Sequence, residues 1–172
     1  YNIRHGFVHH NPATGQFNII GNYYRQGPNN SLIPFYFDDV DGSPRPSYHM
    51  SGNYVDDPGD YVGVVSNPWT TSGYTSYNIV LKDSLYYSSS QFDFSSYPAY
   101  VPVTIESYSS AYDSVLNYSG AYPRDFVDSR DLQETRDRTG AWGARIPSNL
   151  MQGLTATSSP TDSDGDGMPD AW

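Results

Sequence analysis

A repeated phrase, Gly-Asn-Tyr, is the feature of this sequence that most restricts its fold. It occurs at Gly21 and, 31 residues later, at Gly52, and each copy follows a short stretch that contains apolar residues, 18–20 and 48–50. Glycine adopts left-handed backbone conformations without steric cost, and an asparagine amide can pair with the asparagine of a neighbouring segment. The two copies therefore predict similar structural units that stack side by side.

Short strand patterns alternate with clusters of turn residues through the N-terminal part. The predicted strands are 6–9, 17–20, 35–37 and 48–50, and the turn clusters are 11–15, 26–30 and 41–44. Strands of this length and spacing fit the coils of a parallel β-helix, and they also fit a β-sandwich. Helical spacing is found only near the end, at 109–116 and 124–136, where Phe126, Val127 and Leu132 would face the core.

Charge and composition exclude two classes of partner. The chain has 172 residues, a net charge of −10 and a single lysine, Lys82, whereas nucleic acids and anionic membranes require a basic face. No apolar run reaches the length of a membrane span. The 17 tyrosines fit β-strands, and on a surface they would also fit a carbohydrate ligand, because tyrosine rings stack on sugar rings.

An acidic run near the C-terminus has the spacing of a calcium loop. Aspartates at alternate positions converge on one hard cation if the backbone turns sharply, and Gly167 would supply that turn. A twelfth-position acid would follow Trp172, so the ion site is expected to be incomplete. The alternative is a solvated acidic linker. The predicted Ca²⁺ ligands are Asp162, Asp164, Asp166, the carbonyl of Met168, and Asp170.

Two phrases together resemble bacterial pectate lyases. The first runs from Asn18 to Pro28 and reads Asn-Ile-Ile-Gly-Asn-Tyr-Tyr-Arg-Gln-Gly-Pro; the second runs from Ser119 to Arg130, contains Pro-Arg-Asp and Val-Asp, and is followed by Thr139-Gly140. The resemblance implies an all-β fold, a right-handed parallel β-helix with long loops and a short C-terminal helical element. Residues 1–154 would be the C-terminal part of that domain, and residues 155–172 a linker that carries the calcium loop, which resembles thrombospondin type 3 repeats.

The function that this resemblance implies is calcium-assisted β-elimination of uronic-acid polymers by a secreted, extracellular bacterial polysaccharide lyase. The family's acidic calcium cluster and catalytic arginine turn normally precede the matched phrases, and no such phrase occurs before Asn18. The chain is therefore expected to be inactive alone, with no catalytic residue assigned. The expected partners are an acidic polysaccharide and either a missing N-terminal β-helix segment or self-stacking copies. The alternative is a non-catalytic structural or carbohydrate-binding β-solenoid that assembles head to tail into filaments.

Several aromatic and basic residues lie on or beside the predicted coils, where they could contact a polymer. Arg25 is the first choice for pairing a uronate carboxylate, because a guanidinium group binds a carboxylate through two parallel hydrogen bonds. The alternative is a turn arginine that hydrogen-bonds neighbouring carbonyl groups. The complete set of predicted substrate-binding residues is Arg25, Tyr24, Arg4, His5 and Arg45.

Overall fold

The computed structural model of the chain contains eight β-strands and two α-helices in the part that it describes. The described residues are 1, 5–9, 15–29, 31–37, 46–74, 86–120, 122, 124–141, 149, 151–152, 158–166, 168 and 170. The strands are β1 (His5–His9), β2 (Gln16–Ile20), β3 (Tyr23–Arg25), β4 (Ile33–Phe37), β5 (Ser47–Ser51), β6 (Asn53–Asp57), β7 (Tyr61–Val65) and β8 (Tyr87–Ser88). The helices are α1 (Tyr108–Tyr118) and α2 (Phe126–Asp137). Neither of these helices has the length and hydrophobicity to cross a membrane.

The strands form three small sheets. The first contains β1 and β4, the second has the order β2-β5-β8, and the third has the order β3-β6-β7. All neighbouring strands are parallel except β6 and β7, which are antiparallel. Phe17 lies opposite Tyr48, and Tyr23 lies opposite Tyr54, so the copies of the Gly-Asn-Tyr repeat are neighbours in the sheets.

The repeated Gly-Asn pair makes the turn between consecutive strands. Gly21 and Gly52 have φ angles of 68° and 59°, the left-handed region that glycine tolerates best. Asn53 is fully buried, and its side-chain amide donates to the carbonyl of Ile19 at 2.8 Å. Its side-chain oxygen accepts from the side-chain amide of Asn22 at 3.0 Å. The repeat therefore satisfies the polar groups of a buried turn.

Aromatic side chains form most of the core. Phe35, Phe37 and Tyr48 are fully buried, and the rings of Phe37 and Tyr48 stack with centroids 4.2 Å apart. The ring of Trp69 also stacks on the ring of Phe37, with centroids 5.6 Å apart. Strands of all three sheets contribute residues to this one cluster. Part of the high tyrosine and phenylalanine content is therefore explained by packing.

The prediction of an all-β, right-handed parallel β-helix is wrong. The described residues form a small mixed α/β architecture in which the third sheet is mixed, and they form no closed barrel or solenoid. After Asp57 the chain reverses in a tight turn, in which the amide of Asp60 donates to the carbonyl of Asp57 at 3.0 Å. The next strand, β7, consequently runs antiparallel, and a pattern of short strands and turns could not predict that reversal.

Candidate functional site

Two rows of side chains cross the third sheet (β3, β6 and β7) on one face. In the first row, Tyr23 lies opposite Tyr54 and Tyr54 lies opposite Val64. In the second row, Arg25 lies opposite Asp56, which in turn lies opposite Val62. Side chains two residues apart on a strand point to the same face, so the rows lie side by side. Helices α1 and α2 contact this face.

Helix α1 packs on the first row through tyrosine rings. Tyr108 stacks on Tyr54 with centroids 4.6 Å apart, and Tyr112 stacks on Tyr23 at 4.5 Å. The helix begins at a serine N-cap, because the hydroxyl of Ser107 accepts the amide hydrogen of Ser110 at 3.1 Å. The sequence thus places aromatic residues four positions apart, which puts both on one side of the helix.

Helix α2 is held on the second row by polar contacts. Arg25 donates from Nη1 to Oδ2 of Asp56 at 2.6 Å, and from Nε to the carbonyl of Thr135 at 3.0 Å. Its Nη2 donates to the carbonyl of Arg136 at 3.0 Å. Cationic groups near the C-terminal carbonyls of a helix are favourable, because those carbonyls lack partners within the helix. Arg25 therefore joins β3 to the last turn of α2.

A second arginine, Arg138, completes this arrangement. Its Nη2 forms a salt bridge with Oδ1 of Asp56, and its Nη1 donates to the carbonyls of Asp56 and Gln26 at 3.0 and 3.1 Å. Arg138 is the C-cap of α2 and has the left-handed angles φ 56° and ψ 41°. Tyr23 also donates its hydroxyl to Oδ2 of Asp56 at 2.7 Å. We call Asp56, Tyr23, Arg25 and Arg138 the Asp56 cluster.

The Asp56 cluster has a defined set of protonation states. Burial alone would raise the pKa of Asp56, but hydrogen bonds from Tyr23 and Arg138, with the positive charges of Arg138 and Arg25, outweigh it and lower the pKa. Burial, with the hydrogen bond to Asp56, raises the pKa of Tyr23. Asp56 is therefore a carboxylate and Tyr23 a neutral hydroxyl at neutral pH.

A cavity of about 550 Å³ lies beside this face, between β3, α1 and α2. Pockets of this volume can hold a small ligand or a sugar ring. Burial raises the pKa of Tyr24, which packs edge-on against Phe35 with ring centroids 5.1 Å apart. Charged and hydroxyl groups enter an otherwise apolar lining. The lining residues that bear on ligand chemistry are Tyr24, Arg25, Tyr112, Asp128, Asp131 and Leu132.

The structure brings two of the five predicted substrate-binding residues together. Tyr24 and Arg25 are adjacent in β3 and both line the cavity. His5 begins β1, where its backbone pairs with Ile33. Arg4 and Arg45 lie outside the described residues.

Sequence reasoning missed Asp56 and Arg138. The repeat carried a signal for the first, because Arg25 and Asp56 occupy equivalent positions in its two copies. Opposite charges at equivalent positions pair when the copies become parallel neighbours. Arg138 is separated from Asp56 by 82 residues, and no local pattern links them.

The acidic run near the C-terminus folds into a compact loop. One carboxylate oxygen from each of Asp162, Asp164 and Asp166 lies within 4.8 Å of the others. Gly165 makes a left-handed turn with φ 71°, and its amide donates to Oδ1 of Asp162 at 2.8 Å. Three carboxylates on a turn of this kind match the hard oxygen donors that Ca²⁺ prefers. The predicted turn residue Gly167 lies outside the described residues.

The remaining predicted ligands have other contacts in this loop. The amide of Met168 donates to Oδ1 of Asp166 at 2.8 Å. Both carboxylate oxygens of Asp170 accept hydrogen bonds from Ser163, from the amide at 2.8 Å and from the hydroxyl at 2.6 Å. These bonds, the one from the hydroxyl first, lower the pKa of Asp170. The two hydrogen bonds between Ser163 and Asp170 thus join the two ends of the loop.

Comparisons with known proteins do not identify the chain: no family model matches it, and neither the curated proteins nor the solved structures contain a significant match. The resemblance to pectate lyases consequently depends on the two phrases at Asn18–Pro28 and Ser119–Arg130. It stays a prediction, and so does the calcium site.

Proposed function

We propose that this chain is part of a secreted bacterial polysaccharide lyase that cleaves uronic-acid polymers by calcium-assisted β-elimination. The observation that supports the proposal is the meeting of the two family-like phrases, which lie about a hundred residues apart in the sequence. The cavity is lined by Tyr24 and Arg25 from the first phrase and by Gly120 and Asp128 from the second. Residues that resemble one family in two separate phrases thus share one site.

In the proposed reaction the protein and calcium would have different roles. In such an elimination a base removes the proton at C5 of a uronate and the glycosidic oxygen at C4 leaves, which creates an unsaturated sugar end. A calcium ion held by protein carboxylates would supply positive charge that makes the C5 proton more acidic. In this chain, Asp162, Asp164 and Asp166 would hold a calcium ion that orders the loop.

In this proposal Arg25 fits the role of a substrate-binding residue better than that of the general base. Its guanidinium donates to a carboxylate and to two helix carbonyls, which are contacts of a charged group. Arg25 and Arg138 share the single carboxylate of Asp56, so these three side chains carry one net positive charge. Arg25 lies in a cavity lining that also contains Asp128 and Asp131, and its guanidinium group would be the partner there for the carboxylate of a uronate.

A second candidate is a non-catalytic carbohydrate-binding module. It is favoured by the contacts of the Asp56 cluster, in which both arginines are paired and Tyr23 is held as a neutral hydroxyl. A general base needs a pKa near the working pH, whereas the pKa of Asp56 is lowered and the pKa of Tyr23 is raised. In this case the chain binds the polymer without cleaving it.

One experiment tests both candidates. The chain is incubated with polygalacturonate, with calcium and then with a chelator, while the ultraviolet absorbance of the unsaturated product is followed. In parallel, its migration is compared in gels that contain polygalacturonate or neutral hydroxyethyl cellulose. Calcium-dependent product would support the lyase and would show that the chain carries its own catalytic groups. Retardation by the acidic polymer without product would fit the binding module and also a portion of a lyase that is inactive alone.

The matched variants are Arg25→Lys and Arg130→Lys. Arg130 is a helix arginine that pairs with Asp131 on α2. Lysine keeps the charge but loses the planar group that binds a carboxylate through two bonds, so Arg25→Lys should weaken retardation and Arg130→Lys should not. Equal migration of the unmodified chain in both gels, with no product, would contradict both candidates.

A further inference from the structure

The walls of the cavity between β3, α1 and α2 are largely apolar. Leu32 and Leu116 line it and are 2% and 7% exposed, so they belong to its inner surface. Leu132 of α2 and Val115 of α1 line it as well. Val115 is 59% exposed, so the cavity is open to solvent on the side of that residue. Because a charged group loses its hydration in apolar surroundings, such a lining favours the uncharged groups of a ligand.

The charged groups of the lining are mostly acidic. Among the described residues of the lining, Arg25 has the only basic side chain, and its guanidinium group already pairs with Asp56. Asp128 and Asp131 bring two carboxylates. Tyr1 also lines the cavity, and burial lowers the pKa of its amino group below the ordinary value of 8.0. A ligand in the cavity therefore meets more negative than positive charge.

The two carboxylates differ in their partners. Oδ1 of Asp131 accepts from Nη2 of Arg130 at 2.9 Å and from Nε at 3.1 Å, and the side chain of Asp131 is 60% exposed. Asp128 is half-buried, and no described residue donates a hydrogen bond to its carboxylate. The charge of Asp128 is therefore the less compensated of the two.

Two local features hold Asp128 in its position. Its backbone amide donates to Oδ1 of the N-cap residue Asp125 at 2.9 Å, which places Asp128 in the first turn of α2. Its carboxyl group lies against Gly120, which has a φ of 85°. A Cβ atom at Gly120 would lie 3.2 Å from Cγ of Asp128, so the glycine leaves room for the carboxylate. The fold thus sets the position of this carboxylate without a partner of opposite charge among the described residues.

We propose that Asp128 makes the cavity select a uronic-acid polymer in which many of the carboxyl groups are methyl esters. This preference rests on the proposed function, because it names the uronate polymer that the same site would take. Arg25 would bind one free carboxylate, but a further free carboxylate beside Asp128 would be repelled by its like charge. A methyl ester has no charge there, and its methyl group can contact the leucines of the lining.

The test compares two forms of one polymer, polygalacturonate and polygalacturonate with about half of its carboxyl groups methyl-esterified. Calorimetric titration of the unmodified chain at pH 8 and low salt, with a chelator, measures both dissociation constants. The chelator prevents calcium from bridging Asp128 to a uronate. The expected result is about fivefold tighter binding of the half-esterified polymer, the factor typical of one interaction between partly exposed charges. Added salt should reduce this difference.

Variants separate the effect of Asp128 from the overall charge of −10, which also disfavours the more acidic polymer. Asp128→Asn keeps the shape of the side chain and should tighten the binding of polygalacturonate about fivefold, with little change for the half-esterified polymer. Asp113→Asn is the matched control, because it removes the same charge from an exposed position of α1 outside the lining. It should change neither dissociation constant.

Asp128→Ser removes the same charge with a smaller side chain and should give the same result, so the test does not depend on one variant. Circular dichroism would confirm that each variant is folded. Tighter binding of polygalacturonate by the unmodified chain, or equal effects of Asp128→Asn and Asp113→Asn, would overturn the preference and leave the proposed function standing. Failure of the unmodified chain to bind either polymer would overturn both.

Discussion

The two helices lie on the same face of one sheet but are attached to it by different chemistry. Helix α1 uses stacked rings, Tyr108 on Tyr54 and Tyr112 on Tyr23, and it buries Leu116. Helix α2 has no buried residue and depends on the hydrogen bonds of Arg25 and the salt bridges of Asp56. Neighbouring elements of one small domain can therefore respond differently to acid, salt and substitution.

The comparison shows what each kind of contact requires from the sequence. Ring stacking needs only large side chains on the correct faces, and it tolerates small shifts of the helix. The Asp56 cluster needs seven polar contacts to be satisfied at once, because an unpaired buried charge is costly. The attachment of α2 thus requires a more specific set of residues than the attachment of α1.

The largest expected effect comes from Asp56→Ala. This change leaves Arg25 and Arg138 largely buried without their carboxylate, and we expect it to lower the free energy of unfolding by about 3 kcal/mol. Urea unfolding would measure the loss, and hydrogen exchange would locate it in α2. The control is Asp113→Ala on the exposed face of α1. Equal unfolding midpoints for the two variants would show that the cluster does not hold α2.

A smaller loss is expected from Tyr108→Ala. Removal of the ring that stacks on Tyr54 should lower the free energy of unfolding by about 2 kcal/mol, and the loss should be insensitive to salt. The same urea titration at low and high salt would test this. Tyr118→Ala is the control, since Tyr118 on the same helix is 76% exposed. A strong dependence on salt would remove the distinction between the helices.

Acid should weaken the attachment of α2 before that of α1. The pKa of Asp56 in the folded chain lies below its ordinary value of 3.8, so its stabilising contribution is complete above that value and is lost as the pH falls through the folded pKa. Hydrogen exchange as a function of pH should show α2 opening first. In Asp56→Asn this difference should disappear, and its persistence would assign the acid response to another group.

The smallest effect on the helices should come from calcium. The loop that contains Asp162, Asp164 and Asp166 is exposed, and its hydrogen bonds lie within the loop among the described residues. Calorimetry should give a dissociation constant of about 10⁻⁴ to 10⁻³ M. Chelation should leave the melting temperature nearly unchanged, and a large decrease would show that the loop supports the helices.

Two variants sharpen this calcium test. Asp164→Asn should weaken binding strongly because it removes one of the three clustered carboxylates. Asp170→Asn should weaken it less, because both oxygens of Asp170 already accept hydrogen bonds from Ser163. Equal losses of calcium affinity in the two variants would show that Asp170 binds the ion as directly as Asp164 does.

The sequence contained enough to predict the contacts between neighbouring repeats and the positions of both helices. The offset between Gly21 and Gly52 matches the observed parallel pairing. The helical spacing at 109–116 and 124–136 corresponds to α1 and α2. These features depend on local patterns and on one repeat, which a single sequence displays directly.

Long-range features were beyond those patterns. Phe126 was expected to face the core, but it is exposed, because polar contacts of Arg25 and Arg138 attach α2 instead. The antiparallel strand β7 follows from one tight turn after Asp57, and the short strands and turns that favoured a β-helix did not indicate that reversal. The charge pair of Asp56 with Arg138 spans 82 residues and leaves no periodic signal.

The sequence separation of the Asp56 cluster has a consequence for the order of folding. The strand pairs of the repeat, β2 with β5 and β3 with β6, join residues 31 apart, whereas the contact of Arg25 with Thr135 spans 110 residues. Closing the longer loop costs more chain entropy, so the sheets and their aromatic core should form first and α2 should dock last. Contacts absent from the transition state govern the unfolding rate more than the folding rate. The cluster therefore acts as a latch that slows the opening of a domain already assembled.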